Sequence, residues 1–134
     1  MTSFKGIKEK YFSSIKEKSK SFDTNKKIEL AMNKITYVTR AVGIDKKETR
    51  SVEVLSKYLK GDLGKKDLKR EANFLIRKSK KEINEKYYIC WAMIYALLIY
   101  KKNDNFVYML VFLISALGNE TEQNKKAIEE ILNF

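Results

Sequence analysis

Two apolar segments separated by a short polar run constrain the fold of this chain more than any other feature of its sequence. Residues 87–100 and 106–117 are apolar almost throughout, and the five residues between them are polar. A helix needs about 20 apolar residues to cross a bilayer, and both segments are shorter. Helices that are apolar on every side are typical of the centre of a bundle. The sequence therefore predicts a buried helical hairpin and no integral membrane span.

The rest of the chain indicates amphipathic helices around this hairpin. There is no proline among the 134 residues. Apolar residues recur at spacings of three and four, which place them on one side of a helix. We expect helices at 4–20, 24–42, 46–60 and 65–82 before the hairpin, and one that ends at 132 after it. Asp23 or Thr24, Asn84 and Asn119 stand where N-caps are expected, and Gly43 and Gly61 where helices end.

These patterns predict one fold class and one domain. We expect residues 1–134 to form a single all-α domain, a compact bundle of about six to seven helices around the hydrophobic C-terminal hairpin. A chain of this length has little room for a second domain. The apolar stripes of the surrounding helices show no acidic residue, so no carboxylate is expected to point inward.

The absence of histidine and the single cysteine, Cys90, exclude many kinds of site. Within one chain there is no Ser-His-Asp or Cys-His nucleophile, no His-ligated metal and no disulfide. Cys90 lies in the most apolar predicted helix, where burial raises a thiol's pKa and makes it inert. We therefore predict a protein that is not an enzyme, with no catalytic, cofactor or metal site. A single unpaired cysteine also suits a reducing compartment, which predicts a cytoplasmic location.

The net charge of +11 comes from lysine more than arginine. The 28 basic residues are 24 Lys and four Arg, and the charge is +12 over residues 1–86 and −1 over 87–134. Part of the lysine excess agrees with AT-rich codon usage, because Asn, Ile, Phe and Tyr are also frequent. Arginine is the better reader of base edges, so a nucleic-acid partner would be bound through its backbone. The charge indicates basic outer helices over an apolar hairpin.

The densest basic segment is 65–81, and it is the candidate partner-binding face. Its basic residues are Lys65, Lys66, Lys69, Arg70, Arg77, Lys78, Lys80 and Lys81. Together with Lys5, Lys8, Lys16 and Lys20 of the first helix, they would form a surface for an acidic protein or for phosphates. The alternative is a solvated face without a partner, neutralised in part by neighbouring acids. These acids are Asp67, Glu71, Glu82 and Glu85.

Residues 28–60 offer a weak helix-turn-helix pattern. Gly43 would be the turn glycine, with apolar residues at several of the packing offsets, and the second helix would present Lys46, Lys47, Arg50 and Lys57 to a groove. The pattern fails at Thr49, where a buried apolar residue is wanted. Any two amphipathic helices joined at a glycine imitate it.

Two functions follow as hypotheses. The first is a non-enzymatic cytoplasmic protein-binding module, such as an immunity or antagonist-type inhibitor, whose lysine-rich surface docks an acidic partner protein. The alternative is a helical protein or subunit that binds the nucleic-acid backbone through the helix-turn-helix pattern or the basic face at 65–81. The first predicts a protein partner that survives nuclease treatment, and the second predicts binding that weakens steeply with salt.

Overall fold

A computed structural model of the chain describes residues 4–118 and 121–134. Within these residues there are seven α-helices, one 3-10 helix and no strand, so the predicted all-α bundle of six to seven helices is confirmed. The 3-10 helix spans Lys46–Thr49 and takes up the first turn of the helix expected at 46–60. The α-helices are α1 Phe4–Ser19, α2 Thr24–Ala41, α3 Arg50–Leu59, α4 Lys65–Ser79, α5 Asn84–Leu97, α6 Asp104–Ala116 and α7 Glu122–Leu132.

The helices α5 and α6 form the central hairpin. They pack along each other, with α1 against the free side of α6 and α4 against the free side of α5. The helices α2, α3 and α7 lie across one face of this α1–α6–α5–α4 layer, because α2 contacts both members of the hairpin. Most of the largest fully buried side chains belong to the hairpin, among them Phe106, Met109, Leu110 and Ile94. The core therefore lies between the hairpin and α2.

The opposite face of the hairpin is only partly covered. Aromatic side chains of α5 and α6 are half-buried there, and two aromatic residues of α1 lie over them. Phe4 stacks on Phe112 with ring centroids 4.3 Å apart, and Phe12 meets Tyr108 edge-on at 5.2 Å. The ammonium of Lys8 lies 5.0 Å from the centre of the Tyr108 ring. Complete enclosure of the hairpin, which its all-round apolar sequence implied, is therefore not observed on this face.

Helix ends follow local sequence in most places. The Asp23 carboxylate accepts a hydrogen bond from the Lys26 N–H at 2.8 Å, which confirms it as the N-cap of α2. Asn84 does not cap α5 as expected but is its first residue, with a φ of 56°. Thr121 caps α7, while the cap expected at Asn119 lies outside the described residues.

Two lysines of α2, Lys27 and Lys34, are buried. The Lys34 ammonium donates hydrogen bonds to the carbonyl oxygens of Glu130 and Asn133, so it closes the carboxyl end of α7. Burial lowers the pKa of both lysines, because the charged form loses water. These two cations belong to the interior of the bundle and are not offered to a partner.

The length of the helices sets a further limit. Across 4–118 and 121–134, none of the helices combines the length and the apolar character that crossing a bilayer requires.

Candidate functional site

All four arginines of the chain line two adjacent grooves, one on each side of α3. The α2–α3 groove contains Arg40 and Arg50, and the α3–α4 groove contains Arg50, Arg70 and Arg77. Arg50 is thus common to both grooves. The 24 lysines are spread over much of the chain, whereas the four arginines are grouped at these two grooves. Arginine binds carboxylates and phosphates bidentately, so the two grooves are the candidate functional site.

The α3–α4 groove has a volume of about 620 Å³ and an aromatic side chain beside its cations. Arg70, Phe74 and Arg77 are spaced by four and three residues, which places them along one side of α4. The Phe74 ring is 49% exposed, an unusual position for a phenylalanine. Val54 and Leu63 add apolar surface to the lining. The groove therefore offers both a charged and an apolar contact.

A buried carboxylate, Glu71, holds one of the arginines in place. Only 6% of the Glu71 side chain is exposed, and its Oε2 accepts a hydrogen bond from Arg50 Nη2 at 2.9 Å. The expectation that no acid points inward is therefore wrong. Glu71 is three residues after Leu68 and four before Leu75, so it occupies a position on the buried stripe of α4. Arg50, which is itself 69% exposed, compensates for the loss of water around this carboxylate.

The other cations of the α3–α4 groove differ in how far they are neutralised. Arg70 lies 3.5 Å from Asp67, and Lys57 lies 3.6 Å from Glu53. Both pairs are largely exposed, and such pairs are easily exchanged for a new partner. Arg77 makes no ion pair with any described residue. The groove is therefore lined by several cations, and among them Arg77 is available to pair with a carboxylate of a partner.

The structure does not gather the eight predicted basic residues into one surface. Arg70 and Arg77 face the α3–α4 groove, whereas Lys65 lies 6.0 Å from the ring of Tyr100, toward the end of α5. Lys78 is half-buried in a gap between the 3-10 helix and α5, beside Glu48 and Glu82. The remaining four are exposed, two on α4 and two just beyond its end: Lys66, Lys69, Lys80 and Lys81.

The lysines of α1 do not extend this surface. The helices α6 and α5 lie between α1 and α4, so the two basic helices occupy opposite edges of the layer. Lys16 forms an ion pair with Asp104 at 3.4 Å, and Lys8 lies over aromatic rings. Lys5 is exposed on the same helix, and Lys20 lies just beyond its end, where it pairs with Glu17 at 2.7 Å. A joint surface of the first and fourth helices is therefore not formed within the chain.

The geometry between α2 and α3 departs from a helix-turn-helix. That motif joins its helices by a turn of about three to four residues. Here residues 42–49, including the 3-10 helix, separate α2 from α3. Lys46 lines the α2–α3 groove and Lys57 the α3–α4 groove, so the predicted cations point to opposite sides of α3. The short turn and the single basic face that the hypothesis needs are both missing from this connection.

Cys90 is buried in α5, as predicted, and its thiol contacts the Leu75 carbonyl oxygen at 3.4 Å. Burial raises the pKa of this thiol to about 11, so at neutral pH it is protonated and a poor nucleophile.

In the part of the chain that the structure describes, no three Asp, Glu, Cys or His residues form a group able to hold a metal ion.

Comparisons of this chain with models of protein families, with curated proteins and with solved structures gave no match.

Proposed function

We propose that this chain is a non-enzymatic protein-binding module that docks an acidic partner protein through the α3–α4 groove. This proposal is supported mainly by one observation: Arg50, Arg70 and Arg77 line the same groove as the exposed Phe74. Arginine and aromatic residues are enriched among those that dominate binding energy at protein interfaces. An immunity or antagonist-type inhibitor is the form of this function that suits a small domain acting through one surface.

The acids of the groove favour a protein partner over a nucleic acid. Glu53, Asp67 and Glu71 line the same groove as the arginines. These carboxylates would repel a continuous phosphate backbone, whereas a protein surface carries both signs of charge and can match them. The apolar Phe74 also has no role in contacting phosphates. We also propose that the protein is cytoplasmic, because a free thiol such as that of Cys90 suits a reducing compartment.

A matched pair of variants tests the groove. Arg70→Gln/Arg77→Gln removes two charges from the groove, and Lys66→Gln/Lys69→Gln removes two from exposed sites on α4 outside its lining. The wild-type protein and both variants are immobilised and exposed to lysate of the native host, with and without nuclease treatment, at about 0.15 M ionic strength. We expect one acidic protein to be retained by the wild type and by Lys66→Gln/Lys69→Gln, and lost with Arg70→Gln/Arg77→Gln.

The identified partner is then purified and titrated against the same variants. A loss of at least about tenfold in affinity is expected for Arg70→Gln/Arg77→Gln, since charge-assisted hydrogen bonds contribute about 1.5–3 kcal/mol each. Equal weakening by the two double variants would show that net charge, and not the groove, attracts the partner. Retention that disappears on nuclease treatment would reject the protein partner altogether.

A nucleic-acid backbone partner is the second candidate, and it uses a different surface. Lys66, Lys69, Lys80 and Lys81 are exposed and make no ion pair with described residues, so these four charges are free to contact phosphates. For this function, binding to a duplex of mixed sequence weakens steeply with salt. The variant Lys66→Gln/Lys69→Gln, and not Arg70→Gln/Arg77→Gln, is then the one that reduces binding. Both double variants are thus informative for both candidates.

A further inference from the structure

The α2–α3 groove is a second concave surface, distinct from the proposed docking groove. Its volume is about 660 Å³, within the range of sites that hold small molecules. The side chains at its base are buried or half-buried and mostly apolar or hydroxyl-bearing, while its charged residues are exposed at the rim. The apolar members are Met32, Ile44 and Val52, and the cations are Arg40, Lys46 and Arg50.

The rim carries positive charge that the chain itself does not neutralise. Arg40 and Lys46 form no ion pair with any residue in 4–118 or 121–134. The acid at this rim, Glu53, lies 3.6 Å from Lys57, which lines the neighbouring groove. Arg50 is held by Glu71. An anion at the rim would therefore meet two unpaired cations and a carboxylate that already has a partner.

The base of the groove does not favour an anion, in contrast to the cationic rim. The hydroxyl of Thr36 donates to the Met32 carbonyl oxygen, and that of Thr39 donates to Thr36. Thr49 likewise donates to the Lys46 carbonyl oxygen. The hydroxyl protons of these three threonines are engaged with backbone carbonyl oxygens, so their oxygens present lone pairs, which repel an anion placed against them. The charged end of a ligand belongs at the rim, and an uncharged body belongs on the apolar base.

We propose that the α2–α3 groove binds a small amphipathic anion, a molecule with an apolar body and one carboxylate, sulfonate or phosphate group. The anionic group pairs with Arg40 and Lys46, and the body rests on Met32, Ile44 and Val52. Charge-assisted hydrogen bonds orient the ligand, and burial of its apolar surface adds affinity. This site differs from the docking groove because Arg70 and Arg77 do not line it, while Arg50 and Glu53 line both grooves.

The probe for this proposal is 1-anilinonaphthalene-8-sulfonate, an aromatic sulfonate whose fluorescence rises in apolar surroundings. Its uncharged counterpart is N-phenyl-1-naphthylamine, which has the same rings and no sulfonate. We expect saturable binding of the sulfonate to the folded wild-type protein, and binding of the uncharged compound to be weaker by about tenfold or more. The variant Arg40→Gln/Lys46→Gln should weaken sulfonate binding by a similar factor without lowering the melting temperature, because both side chains are exposed.

Two control variants locate the probe. Lys8→Gln alters the aromatic face beside α1, and Arg70→Gln/Arg77→Gln alters the docking groove, so neither should change sulfonate binding. Amide shifts in a nuclear magnetic resonance titration should be concentrated in residues 32–56. The proposal is overturned if the sulfonate does not bind, or if Arg40→Gln/Lys46→Gln leaves its affinity unchanged. It is overturned equally if Lys8→Gln abolishes binding. Failure of protein docking with normal sulfonate binding would reject the proposed function alone.

Discussion

The α5–α6 hairpin and the α3–α4 pair use their side chains in opposite ways. In the hairpin helices most side chains are buried, the half-buried ones are chiefly aromatic, and the exposed ones lie at the start of α5. In α3 and α4 a narrower stripe is buried, and the rest of each helix mixes charged residues with half-buried or exposed apolar ones such as Val54 and Phe74. The first arrangement follows from composition alone, because a helix that is apolar all round must be covered. The second depends on which side of each helix a given charge occupies.

Stability and recognition are located in different parts of this bundle. Burial of the hairpin supplies the hydrophobic stabilisation, which is proportional to apolar area removed from water. The α3–α4 pair contributes less buried apolar surface but carries Arg50, Arg70 and Arg77 on a fixed framework. The two regions should therefore respond differently to substitution, and three experiments measure that difference.

The largest effect is expected from Leu110→Ala in α6. Leu110 is fully buried, so truncation removes apolar contacts and leaves a cavity, with a loss of about 3–5 kcal/mol in the free energy of unfolding. Phe74→Ala in α4 is the matched comparison, because its ring is 49% exposed and should cost less than about 1.5 kcal/mol. Denaturant unfolding followed by circular dichroism measures both. Similar losses for the two variants would remove the distinction between the regions.

A smaller effect is expected from pH, through Cys90 at the boundary between the hairpin and α4. The unfolded chain releases the thiol proton near pH 9.0, whereas burial holds the folded pKa at about 11. Below pH 9.0 both states are protonated and this stabilisation is fully present. Between pH 9.0 and 11 only the unfolded state loses the proton, so the free energy of unfolding falls, by about 2–3 kcal/mol in all.

Cys90→Ala isolates this contribution. The stability difference between the wild type and Cys90→Ala should shrink as the pH rises from 9.0 to 11, because other titrating groups are common to both proteins. Unfolding curves at matched pH values measure it. A difference that stays constant across this interval would mean that the thiol is not shielded from water.

The smallest effect is expected from the arginines. Arg50→Ala leaves the buried Glu71 without its ion pair, and we expect a loss of about 1–2 kcal/mol, because the pair is open to water on the side of Arg50, which is 69% exposed. Arg70→Ala removes the same charge from an exposed pair with Asp67 and should cost less than about 0.5 kcal/mol. Melting curves of the two variants at low ionic strength resolve this difference. An equal loss for both would show that Glu71 gains little from Arg50.

The spacing of apolar residues predicted the helices and the hairpin, but the same spacing was not used to ask which charged residues are buried. Glu71 follows Leu68 by three residues, and Lys34 follows Ala31 by three, so both lie on buried stripes. For Glu71, its charge led to the expectation that it does not point inward. The stripe position was the available signal, and partners distant in sequence make the burial possible. Arg50 donates a hydrogen bond to Glu71, and Lys34 donates to carbonyl oxygens at the end of α7.

The candidate site was predicted only in part because a sequence shows the density of charge and not its direction. The eight basic residues of 65–81 are contiguous in sequence, yet only Arg70 and Arg77 face the α3–α4 groove. Arg50 joins them from another helix, as the first residue of α3 directly after the 3-10 helix that sequence patterns did not reveal. Grouping the rare arginines separately from the lysines would have been the better signal, since their side-chain chemistry differs.

The position of Arg50 between the two grooves has a thermodynamic consequence. A ligand that draws Arg50 into the α2–α3 groove removes a cation from the α3–α4 groove and breaks its pair with Glu71. Occupation of one groove through Arg50 then lowers the affinity of the other, and linkage requires the same factor in both directions. Two ligands that each engage Arg50, one in each groove, therefore oppose each other's binding without overlapping.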